Sequence, residues 1–160
     1  MGMMSTKNKN NIGIAIIILF SSILLSQFIS EYICFKATVE GVSMESTYYN
    51  GDKVVVLRVG RIKRGSIVVA RDPDTEKLII KRCIGLPGDK IKIKDSIVYV
   101  NGQPLEDNYS KGLTYEYNIK EELTLGDSEY FLLGDNRENS RDSRYFGAIT
   151  KRNIFGIVIN

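Results

Sequence analysis

Lys77-Leu78-Ile79-Ile80-Lys81-Arg82-Cys83-Ile84-Gly85-Leu86-Pro87-Gly88-Asp89-Lys90-Ile91-Lys92-Ile93-Lys94 carries the pattern that decides the fold. Two aliphatic runs, Lys77 to Ile84 and Lys90 to Lys94, flank the turn signal Leu86-Pro87-Gly88-Asp89. Both have the length and branched composition of strands. The same grammar extends in both directions. Lys53 to Val59, Ser66 to Ala70, Ile97 to Val100, Glu129 to Leu133 and Ile154 to Ile159 also predict strands. Asp72-Pro73-Asp74 and Asn101-Gly102 predict tight turns between them. The polar stretch 106–126 is weakly patterned and reads as an insertion or long loop. No helix of normal length is expected after residue 31. The prediction is a mainly β fold, a small antiparallel sheet that is coiled or barrel-like, occupying residues 31–160.

Ahead of that domain, Ile12 to Ile29 contains no charged residue, and the polar tail 1–10 before it carries Lys7 and Lys9. Eighteen residues of helix rise roughly 27 Å, close to the hydrocarbon thickness of a bilayer. Residues 11–30 are therefore expected to form a transmembrane helix. The two lysines place the N-terminus in the cytoplasm and the domain after Glu31 outside the cell membrane, with Tyr32 and Phe35 as interfacial anchors. A cleavable leader, ending near Ser26 or Ser30, is the competing reading. The run is long for such a leader, and no clear small-x-small site follows it.

Composition narrows the chemistry. The 160 residues include no histidine, which excludes a Ser-His-Asp triad and a Cys-His dyad and removes the commonest ligand of catalytic zinc. No metal or cofactor is expected. The net charge of +3 is small and interleaved along the chain, so nucleic acid is not an expected partner. Cys34 and Cys83 are the only cysteines. One bridge between them or two thiols are both compatible with the count, the thiols being the plainer reading.

Three clusters carry possible chemistry. Gly41-Val42-Ser43-Met44-Glu45-Ser46-Thr47 can expose a serine hydroxyl on a turn, although a plain surface loop has the same composition. In the strand Lys77 to Ile84, alternation places Ile79, Lys81 and Cys83 on one face. A lysine among such neighbours loses hydration of its ammonium form, and a neutral amine can serve a serine as general base. An edge-strand lysine facing water is the bland alternative. The third cluster, Gly134 to Gly147, is dense in polar groups and reads either as a network supporting a site or as a solvated loop.

Together these segments resemble the type I signal peptidases, in the compact form found in Gram-positive bacteria. The resemblance rests on the span before the serine, Ser43-Met44, Gly51-Asp52, Lys81-Arg82, Ile84-Gly85-Leu86-Pro87-Gly88-Asp89 and Gly134-Asp135-Asn136-Arg137. Ser140, Asp142-Ser143-Arg144 and Gly147 complete it. It implies Ser43 as nucleophile, Lys81 as general base and Ser140 as the hydroxyl that orients the lysine amine. Asp142 and Arg144 would form a structural ion pair, Asp135 and Arg137 would support the site, and Val42, Met44 and Ile80 would contact substrate. The oxyanion would be held by the Ser43 N–H. Some relatives add a hydroxyl at the position that is Gly41 here. The implied partners are pre-protein signal peptides with small residues at −1 and −3, and membrane lipid. The implied fold is a coiled β-sheet domain. Two positions depart from the family pattern: Ser46 stands where proline is usual, and Ser66 where aspartate is usual. Ser46 raises a second reading, an accessory protein dedicated to a pilin-like precursor. It also leads to the expectation that Ser46→Pro would preorganise the turn. A self-cleaving Ser/Lys repressor shares the dyad, but the span and the lack of a helix-turn-helix segment argue against it.

Overall fold

A computed structural model describes residues 6–119 and 121–159; residues 1–5 of the polar tail lie outside the described residues. Helix α1 runs from Thr6 to Phe28 and closes in a π-helical turn, Ile29–Ile33. It starts inside the expected tail and, with its last turn, ends beyond residue 30. The helical segment Asn11–Ile33 is long and apolar enough to cross a membrane, and none of its most apolar window is buried against the domain. An all-round apolar helix with no protein partner has lipid as its natural solvent.

Eleven strands follow among the described residues: β1 Cys34–Thr38, β2 Lys53–Leu57, β3 Ile67–Arg71, β4 Leu78–Gly85, β5 Lys90–Lys94, β6 Ile97–Val100, β7 Gln103–Pro104, β8 Leu123–Thr124, β9 Glu129–Leu133, β10 Ile149–Thr150 and β11 Ile154–Ile159. A short helix, α2, spans Ser143–Phe146. The large antiparallel sheet has the order β1-β2-β11-β3-β4-β9-β10 and curls into a half-barrel. The small sheet has the order β7-β6-β5-β8. The expected mainly β, coiled antiparallel architecture is present. The seven strands read from the sequence all form, and β5, β6, β9 and β11 keep the expected limits. β1, β7, β8 and β10 are additions to that expectation. Phe35, read as an interfacial anchor, is a residue of β1, where it packs on the Val54 and Val56 core beneath the Arg58 guanidinium.

Period two puts alternate residues of each sheet inward. Ile91, Ile93, Val98 and Val100 of the small sheet pack on Ile84, Phe131 and Leu133 of β4 and β9. Val68, Ala70, Cys83, Leu132, Ile149 and Ile154 form a second cluster inside the large sheet, and Val39, Val54, Val56, Val69 and Val158 a third. β4 belongs to all three, through Ile84, Cys83 and Ile80 respectively. A strand gripped by three clusters is a rigid base for a functional group. Both cysteines are free thiols; burial pushes that of Cys83 up to about 12, so it stays protonated.

Candidate active site

Ser43 lies in the excursion between β1 and β2. The excursion is closed at its base by Val39 N–H to Asp52 O at 2.8 Å and Gly51 N–H to Val39 O at 2.8 Å. Within it, backbone bonds from Glu45 to Val42, Thr47 to Met44 and Tyr48 to Met44 make a tight turn. Lys81 sits on β4 directly opposite Val68 of β3, on the face that also carries Ile79 and Cys83. The register thus places Lys81 on the same face as these apolar residues, as the alternation predicts.

The two side chains meet. Lys81 Nζ donates to Ser43 Oγ at 2.7 Å and to the Ile80 carbonyl at 2.9 Å. Lys81 is only 4% exposed. Burial disfavours its ammonium and lowers its pKa from 10.5 to about 8; Asp142, Asp72 and Asp135 oppose the shift and Arg144 adds to it. No carboxylate lies within ion-pair distance of this amine among the described residues. The same 2.7 Å contact carries the proton in the other direction once the amine is neutral, with Ser43 O–H donating to the nitrogen.

The pair opens on a groove of about 670 Å³ lined by Phe35 to Glu40 on one side and Lys77 to Lys81 on the other. Its walls are strand edges. β1 ends the large sheet, and β4 pairs with β9 only from Arg82 onward. The edges of β1 and of Leu78–Lys81 that face the groove therefore have no neighbouring strand among the described residues, and the Ile80 carbonyl on this stretch is taken by the Lys81 amine.

The polar cluster after β9 forms the floor. Asn136 N–H donates to Ser43 O at 3.0 Å, and Asn136 Nδ2 donates to Val42 O at 3.2 Å. Asp135 accepts from Arg82 through Nε at 2.8 Å and Nη2 at 2.6 Å, and from Thr47 Oγ1 at 2.5 Å. One carboxylate thus ties β4 to the serine turn. Asp142 and Arg144, both 0% exposed, form a bidentate ion pair at 2.8 and 2.9 Å. Arg144 Nη2 also donates to the carbonyls of Arg137 and Ser140, and Asp142 accepts from Gly134 N–H. Arg137 is paired with Asp107 and Thr114, residues of the stretch read as a loop. A Cβ at Gly134 would come within 2.2 Å of Ser140 Oγ and 2.6 Å of Ser43 O, so only glycine lets this floor approach the serine.

Other expected roles need adjustment. Ser140 is buried beside the site, yet its hydroxyl finds no partner among the described residues; the lysine's second bond goes to Ile80 O instead. Gly41, at φ +86°, has its N–H engaged by Asn50 Oδ1 and is no free oxyanion donor. Met44 and Ile80 line the groove, whereas Val42 is 44% exposed and outside it. Ser46 has φ +92°, and a pyrrolidine ring holds φ near −65°. The expected benefit of Ser46→Pro therefore fails, since proline cannot occupy this backbone. Sequence reasoning also passes over Asn136, Thr47 and Arg82 as individuals, although each lies inside a segment it singles out. Asp72 reads from the sequence only as a turn residue. In the fold it caps its own turn through Asp74 N–H and Thr75 N–H and holds Arg141, which joins the β3–β4 turn to the polar cluster.

Comparison with known proteins follows the same lines. The family described as "Signal peptidase, peptidase S26" matches residues 12–159. Signal peptidase I V of Bacillus subtilis (strain 168) is 35% identical over 86% of this chain and 90% of its own length. Signal peptidase IB of Staphylococcus aureus (strain Mu50 / ATCC 700699) is 31% identical over 92% and 84%. A crystal structure of a signal peptidase I from Enterococcus faecalis V583 superposes with TM-score 0.54 at 29% identity, covering 63% of this chain and 99% of that one. With the match spanning the helix, the groove and the polar floor alike, the chain belongs to the peptidase S26 family as a type I signal peptidase.

Proposed function

We propose that the chain is a membrane-bound serine endopeptidase that removes signal peptides from exported pre-proteins through a Ser43/Lys81 dyad. The observation that carries this reading is the 2.7 Å contact between Ser43 Oγ and a buried Lys81 amine at the head of the groove. An extended peptide laid between β1 and Leu78–Lys81 would pair with both edges and extend the half-barrel by one strand. Its scissile carbonyl would then lie beside Ser43. Small side chains at −1 and −3 suit such a strand because they share one face two residues apart.

In the first step Ser43 Oγ attacks the carbonyl carbon while its proton passes to neutral Lys81. The Ser43 N–H, which donates to no group among the described residues, faces the developing oxyanion. Collapse of the tetrahedral species breaks the C–N bond, and Lys81 returns the proton to the leaving amine. Water, deprotonated by the same lysine, then hydrolyses the acyl ester. The steps use only groups of this chain and water. β1 begins at the residue after the helical segment, so the groove wall continues directly from the anchor. Ser43 follows Ile33 by ten residues, which places it within about 35 Å of the helix end. A site so tethered suits a substrate whose own apolar segment lies in the bilayer. The lysines of the tail argue for a cytoplasmic N-terminus and an extracytoplasmic domain. The accessory-protein reading draws on Ser46 alone, and the intact Ser43–Lys81 contact favours the peptidase.

The direct test uses the full chain in detergent with a pre-protein ending its signal peptide in Ala-x-Ala, beside Ser43→Ala. Mass spectrometry should show one cut after the second alanine with wild type and none with the variant. Cleavage by Ser43→Ala would remove Ser43 as nucleophile. External protease on intact protoplasts should digest the domain after Glu31, and survival of the domain would reverse the orientation.

The base also has a pH signature. The neutral amine gains population as pH rises through about 8, so activity should rise along a limb near that value. A limb at the ordinary lysine value of about 10.4 would mean that Lys81 is solvated in the working enzyme.

A further inference from the structure

The Ser43 turn is held by Asn136 and Asp135, and residues 107–114 reach it alongside them. Ser46 Oγ donates to Tyr109 O at 2.5 Å, and Lys111 Nζ pairs with Glu45 Oε2 at 3.3 Å. This segment is itself fastened to the floor. Lys111 N–H donates to Asp135 O and Arg137 N–H donates to Lys111 O, both at 2.8 Å. Asp107 and Thr114 hold the buried Arg137 guanidinium, and the Arg82 guanidinium lies 3.8 Å over the Tyr109 ring. Segment and floor thus hold the turn through shared anchors, with Glu45 Oε2 accepting from both Lys111 Nζ and Asn136 Nδ2.

Ser46 is the point of greatest conformational demand. Its φ of +92° lies in the left-handed region that side chains disfavour, and its hydroxyl makes the bond that holds the residue there. Without that bond the residue is free to return to negative φ, which would rotate the chain three residues from Ser43. We propose that the 107–114 segment is a strap that preorganises the nucleophile, with Ser46 and Lys111 as its positioning residues. The inference rests on the Ser43/Lys81 reading above. Neither residue touches the groove. Their loss acts on the alignment of Ser43 with Lys81, a reaction-geometry effect, more than on substrate affinity.

The experiment compares wild type, Ser46→Ala, Lys111→Met and the double variant as full chains in detergent, with Ser43→Ala as control. A signal-peptide fragment ending in Ala-x-Ala serves as substrate. Melting temperature, kcat, KM and the pH limb are measured for each. Ser46→Ala should lower kcat about tenfold and Lys111→Met about threefold, with KM within about twofold of wild type. The double variant should lose less than the product, because both changes release the same strap. The limb should move up from about 8, since a displaced turn admits water to Lys81. If the folded double variant keeps wild-type kcat and limb, the strap proposal is overturned. It is equally overturned if kcat per folded molecule is unchanged while the melting temperature falls. Cleavage by Ser43→Ala would instead strike the dyad reading beneath it.

Discussion

Lys81→Met is expected to abolish cleavage and, at the same time, to raise the melting temperature. Methionine matches the length of the lysine stem and fills the same space beside Ile79, Cys83 and Val68, but it has no amine to take the Ser43 proton. Loss of the base from a nucleophile–base unit should cost about a thousandfold or more in kcat. Lys81→Arg should fail equally, because a guanidinium stays protonated at any working pH. The stability gain follows from the depressed pKa. Below pH 8 the amine is protonated in both the folded and unfolded chains, and the folded state bears the full cost of a buried ammonium. Between about 8 and 10.5 only the unfolded chain holds the proton, so the wild type recovers stability with rising pH. Methionine should therefore stabilise by about 1–3 kcal/mol at about pH 7, and by less at about pH 9.5. Thermal unfolding of both proteins at the two pH values checks the sign. A variant less stable than wild type at neutral pH would show that the lysine is better compensated than its surroundings indicate.

The expected trade of stability for reactivity is partly legible in the amino-acid sequence itself. Alternation in Leu78–Gly85 gives the lysine its apolar face, and seven strands announce themselves by runs of Val and Ile bounded by Gly, Pro and Asp. β1 does not, because Cys34–Thr38 follows the membrane helix with no turn signal and buries only Cys34, Phe35 and Ala37 in part. β7, β8 and β10 have two residues each, too short for any period, and exist because a neighbouring strand supplies their partners. At the site, side chains with an obvious chemical role are readable, and main-chain partners are not. Ile80 O takes the bond expected for Ser140, Asn136 N–H holds Ser43 O, and Tyr109 O accepts from Ser46. Carbonyls and amides leave no mark in composition. The stretch 106–126 looks like an insertion because its polar residues lack periodicity. Their partners lie far away in sequence, as Ser46 and Tyr109 do at a separation of 63, and only the fold brings them together.

The ion pair beneath the site makes the other large prediction. Asp142→Asn keeps the shape of the side chain and leaves an oxygen to cap α2, but it removes the charge facing Arg144. The guanidinium is 0% exposed, so it would be left as a buried cation without its counter-charge. Breaking a buried pair in this way costs about 3–5 kcal/mol, which in a chain of this size lowers Tm by roughly 6–20 °C. Arg144→Lys retains the charge and loses the paired geometry, so it should cost less. Activity offers a second measure with an opposite sense. Asp142 is the largest of the charges that favour the protonated form of Lys81, so its removal should move the activating limb below about 8. Asp142→Asn assayed well below its melting temperature should thus be a weaker fold carrying a more acidic base. A Tm within about 2 °C of wild type, on the order of 1 kcal/mol, would mean that Arg144 finds its compensation elsewhere. An unmoved limb would mean that the Asp142 charge does not reach Lys81. On the proposed mechanism the polar floor would act on both scales, because the carboxylate that holds its arginine also opposes the burial that lowers the lysine pKa.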